Sequence, residues 1–276
     1  MTRLKLATTG LAALLLLAGL LVSPMAVQGQ NPSAEEIMTQ AKNRWQGEDF
    51  ASPVKLTTVE SGGGKTVLDV AFRSKLAEAS RESEQYRYNV YARVTAPDDS
   101  EGLTLLVHEK AFPTRDDIWL HLPALDSTKS IVPEDFRNPL FGSEFVFEDV
   151  VGREPSIDTH ELQGSETLTV GDEERQAWVV KSMPNNPDLA GFAYRISYIG
   201  KDSSIQLGMD LFNEADELIK RYRAQNVDVI QDIPTWTVAT AENMKTGRKT
   251  TFEFADPKYN TGVSDKLFDP KELGSN

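Results

Sequence analysis

The chain of 276 residues contains no cysteine. That excludes disulfides, thiolate metal sites and thiol catalysis, and it excludes a lipid-modified N-terminal cysteine. Histidine is nearly as scarce: His108, His121 and His160 are the only three, and none stands at a zinc-like spacing. No metal and no cofactor are expected. Positive charge is the minority charge, with 29 Lys and Arg against 42 Asp and Glu, a formal net charge of −13. Bulk charge of that sign does not hold nucleic acid or anionic lipid surfaces, and mainly keeps a chain in solution.

Long apolar runs are also missing, with one exception. Leu11 to Val22 is interrupted only by Gly19, behind Arg3 and Lys5 and ahead of Val27-Gln28-Gly29. A short positive region, an apolar stretch of about 12 residues and a small-residue boundary make a secretory signal, expected to be cleaved near Gly29. A bilayer core takes about 20 residues; counting Leu6 to Val22 whole leaves an uncleaved anchor as the alternative. Removal makes the charge two units more negative. The expected organisation is residues 1–29 as signal peptide and 30–276 as one domain. Export without cysteine points to the periplasm of a Gram-negative bacterium.

What is present is mostly strand pattern. Asn31 to Gln46 is expected to be the one long helix, with Ser33 as N-cap, acids in the first turn, and Ile37, Ala41 and Trp45 on one stripe before Gly47. The period then changes to two. Tyr86, Tyr88, Val90, Ala92 and Val94 alternate with polar neighbours and Tyr91, as in a half-buried strand. Further strands are expected over 103–107, 118–122, 161–170, 176–183, 192–198, 204–212, 218–229, 235–241 and 248–254. Gly- and Asp-rich turns separate them. The expected fold is mainly β: a single curved antiparallel sheet forming an incomplete barrel, with an N-terminal helix and a helical or loop cover. The cover is read in Thr128 to Val150, where Pro133, Pro139 and Gly142 break the strand pattern while Phe136, Leu140, Phe141, Phe145 and Phe147 demand something to pack on.

No catalytic set emerges. Ser61 to Thr66 ends like a phosphate loop but has Val59 where the first glycine belongs. Gly142-Ser143-Glu144 lacks the spacing of a nucleophile elbow. Glu144, Glu148 and Asp149 cluster, and paired carboxylates serve acid–base chemistry only where a pocket separates their pKa values. The plainer reading has them capping a turn or pairing with Arg137 and Arg153. An envelope hydrolase using Glu144 and Glu148 is a minor alternative.

The run Ile118-Trp119-Leu120-His121-Leu122-Pro123-Ala124-Leu125, then Phe136 and Asn138 to Asp149 (NPLFGSEFVFED), resembles the signature of the LolA-like outer-membrane lipoprotein-sorting family. Val179 to Pro184, Ile219-Lys220, Thr235 to Thr237, Glu242 to Met244, Arg248 to Thr251 and Ser264 to Phe268 follow in family order. Glu144 and Val146 depart mildly from the usual pattern. The resemblance implies a hollow half-barrel that receives the acyl chains of lipid or lipoprotein, no enzymatic activity, and a soluble carrier in transient contact with a membrane protein, an RND-superfamily permease. It makes Phe141, Gly142, Ser143, Glu144, Phe145, Glu148 and Asp149 structural motif residues of the cover. Expected lining residues are Tyr88, Val90, Leu105, Trp119, Trp178, Val180 and Phe252, each of which could equally be plain core. The alternative of another class is an envelope sensor of the same fold that binds lipid or protein and reports to a membrane partner.

Overall fold

The computed structural model describes residues 31–274 apart from Glu82 and Glu84. The expected signal peptide and its boundary near Gly29 lie outside the described residues. The described chain opens with α1 (Ala34–Lys42). Glu36 N–H donates to Ser33 Oγ at 3.2 Å and Ser33 N–H donates to Glu36 Oε2 at 2.8 Å, so the first turn is capped reciprocally. The helix is shorter than the expected 31–46. Asn43 already serves as C-cap, its N–H donating to Thr39 O at 2.9 Å. Trp45 therefore leaves the apolar stripe and stands 39% exposed, edge-on to Tyr86.

Six strands follow in sequence and in space: β1 (Asp49–Val59), β2 (Lys65–Leu76), β3 (Tyr88–Ala96), β4 (Thr104–His108), β5 (Asp117–Leu122) and β6 (Ser127–Ser130). Residues 131–157 then carry the chain to the opposite edge of the sheet. From there it returns through β7 (Asp158–Val170), β8 (Glu173–Pro184), β9 (Tyr194–Gly200), β10 (Gln206–Phe212), β11 (Leu218–Ile230), β12 (Ile233–Asn243) and β13 (Lys249–Phe254). The two runs join where β13 pairs with β1, Phe252 opposite Leu56. The two-residue β14 (Lys258–Tyr259) also pairs with β1. This makes one antiparallel sheet of 14 strands with β6 and β7 at its unpaired edges, an open barrel as the even hairpin spacing predicts. The curl is strong: Val170 of β7 packs in one cluster with Ala224 and Val227 of β11. β6 and β14 escaped the sequence reading because Ser-Thr-Lys-Ser and a two-residue pair carry no apolar alternation.

Along the concave face, period-two alternation places apolar side chains in register. Val54 lies opposite Val70, Phe72 opposite Ala92, and Ala92 opposite Leu105, forming one buried cluster with Leu56, Val90, Val107 and Ile118. The reading of β3 as half-buried needs correction, because its other face is also covered. Tyr91 and Leu106 lie under Val263 and Phe268 of the C-terminal segment. Asp49 fastens that segment, accepting hydrogen bonds from the backbone N–H groups of Thr261, Gly262 and Val263 at 2.7, 2.9 and 3.2 Å.

Candidate functional site

Two elements roof the concave face. α1 lies over β8 and β9, with Ala34, Ile37 and Met38 packed on Val180 and Ile199. Residues 131–157 span the other half, where Phe147 joins the buried cluster and Phe136, Leu140, Phe141, Phe145 and Val150 pack against it. Their helical part is α2 (Phe147–Val151). The roof halves meet where Lys42, at the end of α1, donates to Val151 O at 2.6 Å and pairs with Glu109. Arg87, 2% exposed, extends this tie, with Nη2 donating to Glu154 at 2.7 Å and Nη1 to Asn43 Oδ1 at 2.8 Å.

Between roof and sheet remain two cavities of about 240 and 260 Å³ that share walls at Arg44, Phe145, Val150 and Trp236. The first is lined mainly by apolar side chains: Val54, Leu56, Val70, Phe72, Val90 and Ala92 from the sheet, Phe252 and Phe254 beyond them, Phe141 and Phe145 above. Phe252 stands edge-on to both Phe254 and Phe145, at 4.6 and 6.0 Å between ring centres. The second is more polar, bringing Arg137, Arg153, Arg195 and Glu148 beside Phe192, Met209 and Leu211.

The motif loop is bolted in place by its polar groups. Phe141 and Gly142 take left-handed backbone, φ 49° and 69°, a turn that favours glycine at the second position. Leu140 N–H donates to Phe145 O at 2.8 Å and closes the loop. Phe145 N–H donates to Ser143 Oγ at 3.1 Å, and Glu144 N–H to Thr250 Oγ1 at 2.9 Å. The Glu144 carboxylate pairs with Arg248 at 3.0 Å and Lys220 at 3.4 Å. Glu148 bridges Arg137 and Arg153 at 3.0 and 2.9 Å. Asp149 caps α2, accepting from Val146 N–H at 2.8 Å and from the Tyr222 hydroxyl at 3.1 Å; burial pushes its carboxyl up from the ordinary range. Glu148 makes the expected arginine pairings and Asp149 the expected cap, while Glu144 pairs with Arg248 and Lys220 rather than with Arg137 or Arg153; all three carboxylates are held in structural ties.

The expected lining residues divide. Tyr88, Val90 and Phe252 border the first cavity. Leu105 is fully buried inside the cluster on which the roof packs. Trp178 and Val180 face α1, whose side chains occupy that part of the hollow. Trp119 lies on the opposite face, clustered with Tyr91 and Leu106 beneath the C-terminal segment and edge-on to His108 at 4.9 Å. Alternation identified sheet residues but not which were already covered. Arg44, which borders both cavities, gave no signal in the sequence, since a cation inside the expected helix 31–46 ordinarily reads as solvated. The histidines make separate hydrogen bonds, to Phe268 O, Thr128 and Ser182 with Pro155 O. Among the described residues no group of three potential metal ligands occurs.

The sequence model of a family described as uncharacterized proteins matches residues 87–275. The chain belongs to this family. Its fold recurs in a DUF1329 family protein of Desulfovibrio piger, with a TM-score of 0.76 at 18% identity over 87% of this chain and 97% of that one. A domain described as outer membrane lipoprotein-sorting, from Vibrio parahaemolyticus, gives 0.76 at 20% over 87% and 98%. A LolA superfamily protein of Nitrosomonas europaea gives 0.64 at 16% over 88% and 100%. At such identities the likeness establishes the fold. No curated protein matches the chain.

Proposed function

We propose that this protein is an envelope carrier that holds the acyl chains of a lipid or lipoprotein in the hollow between sheet and roof. The observation that carries the reading is the first cavity, an apolar space walled by the concave sheet and closed above by the phenylalanines of the motif loop. Each methylene moved from water into such a site gains about 0.8 kcal/mol, so twelve carbons supply on the order of 10 kcal/mol before ordering costs. Water offers an acyl chain nothing comparable, and this gain is what a soluble carrier exploits. Tyr88, Val90 and Phe252 are the ligand-facing residues under this reading, and the carboxylates of the motif loop support the roof rather than perform chemistry. The likeness in fold to a LolA superfamily protein and to an outer membrane lipoprotein-sorting domain supports the same reading.

The reading includes export, maturation near Gly29 and work in the periplasm, with cargo handed to or taken from a membrane protein such as an RND-superfamily permease. Release then requires a partner that competes for the chain or parts the roof. Displacement of a fluorescent fatty-acyl probe tests the binding step. Affinity that rises with chain length up to the capacity of the hollow is expected; failure to take up any probe would overturn the carrier reading and favour the sensor.

A further inference from the structure

Most cations around the hollow have a carboxylate partner: Lys42 has Glu109, Lys220 has Glu144, and Arg137 has Glu148. Arg44 breaks the pattern, and Arg195 is only partly met. Arg44 borders both cavities and donates one hydrogen bond, from Nη1 to Pro234 O at 3.0 Å. Among the described residues no carboxylate stands within ion-pair distance of it. The groups that act on its charge are the phenols of Tyr259 and Tyr88, and burial draws the guanidinium below its ordinary range.

Arg195, on β9, is 6% exposed and borders the second cavity. Its Nη2 stands 3.0 Å from Asp158 Oδ2, yet neither Nε nor Nη2 completes a hydrogen bond. Nη1 reaches only Met209 Sδ at 4.0 Å. Asp158 is already held by Arg153, whose Nε donates to both its oxygens at 2.8 and 3.0 Å. Arg137, Arg153 and Arg195 thus share Glu148 and Asp158; Asp149, also in the cavity wall, acts on Arg137, so Arg195 is left without a carboxylate of its own. Buried cations without full pairing are costly, and a guanidinium fork is matched by a carboxylate or a phosphate.

We infer that the second cavity is the subsite for an anionic headgroup, a carboxylate or phosphate, on an amphiphile whose acyl chain occupies the first cavity. The inference rests on the carrier reading and narrows its ligand class. Arg44, on the wall between the cavities, meets the anion where head joins tail, and Arg195 supplies the free donors deeper in. A neutral head leaves both arginines as they are and gains only the tail's burial. The polar second cavity beside an apolar first one suits a ligand with two such ends.

The test is calorimetric titration of the purified exported chain with three ligands of equal acyl length: palmitate, palmitoyl lysophosphatidate and neutral monopalmitoylglycerol. At least one anionic ligand is expected to bind roughly tenfold or more tighter than the neutral one, the scale of a hydrogen bond to a charged group. Palmitate leading marks a carboxylate source, and lysophosphatidate leading a phosphate. In Arg44→Met that ratio is expected to fall to near one. Arg195→Lys, which keeps a cation opposite Asp158 but removes the fork, serves as the second variant and is expected to shrink the ratio as well. Equal binding of all three ligands by the unmodified protein, or a ratio unchanged in both variants, would refute the headgroup subsite while leaving the carrier intact. Binding of none would remove the carrier reading and this inference together.

Discussion

Val90→Phe is the substitution that most sharply separates a usable hollow from ordinary core. Val90 sits on β3, 5% exposed, and its side chain borders the first cavity. The phenyl side chain adds four carbons, which enter that space and displace about three or four methylenes of any bound chain. At about 0.8 kcal/mol per methylene, affinity for a long chain falls by about 2.4–3.2 kcal/mol, roughly 50- to 200-fold. A chain too short to reach Val90 loses nothing. Because the void receives the ring, the melting temperature of the unliganded protein is expected to stay level or rise. Val180→Phe is the contrast. Val180 has no exposure and is packed beneath Ile37 and Met38, so the same chemistry overpacks by about 1–3 kcal/mol. At this chain length, 2 kcal/mol corresponds to a melting point lower by roughly 4–8 °C. Probe displacement across chain lengths, with thermal melts of both variants, decides the matter. If Val90→Phe destabilises as much as Val180→Phe and weakens short and long chains alike, the cavity is not a chain-binding space.

The C-terminal segment gives a second expectation. Burial pushes the Asp49 carboxyl up, but its hydrogen bonds from Thr261, Gly262 and Val263 outweigh this and hold it below the ordinary 3.8. A depressed pKa contributes stability above the unfolded value that is lost as pH falls through the folded one. Asp49→Asn is therefore expected to cost about 2–4 kcal/mol near neutrality and less at about pH 3, read by denaturant melts at both pH values; an equal loss at both would contradict the linkage. Glu148→Gln leaves Arg137 and Arg153 under-compensated and is expected to cost about 2 kcal/mol of stability, while probe binding below the lowered melting point persists. Loss of all function in a folded Glu148→Gln protein would return the carboxylates to the hydrolase reading. Intact mass of protein recovered from the periplasmic fraction is expected to begin near residue 30; a full-length species fixed in the inner membrane would contradict export as a soluble form.

Much of the fold was legible because alternation is local. Tyr88, Val90, Ala92 and Val94 announce one face of β3 without help from the rest of the chain, and Ser33 with Glu36 announces the start of α1. What covers a face is not local. Tyr91 was expected toward solvent and is buried because Val263 and Phe268, about 170 residues later in the sequence, lie over it. Trp119, Trp178 and Val180 were assigned to the hollow on the same alternation, which says that a side chain leaves the sheet but not what occupies the space. The roof was legible because five phenylalanine and leucine side chains in a proline-broken stretch must pack. The arginine-rich second cavity was not, since Arg195 of β9 joins Arg137 and Arg153 of the roof segment only in the folded chain. One signal was available: Arg195, Ser197 and Ile199 share the inward face of β9, and a cation at an inward strand position needs an anion.

Mass spectrometry of lipid extracted from protein purified without detergent tests the central claim most directly. An acyl-bearing amphiphile is expected at close to one per chain in the unmodified protein, with a shift toward shorter chains or an empty hollow in Val90→Phe. Lipid-free protein that also stays empty when incubated with palmitate would contradict the claim.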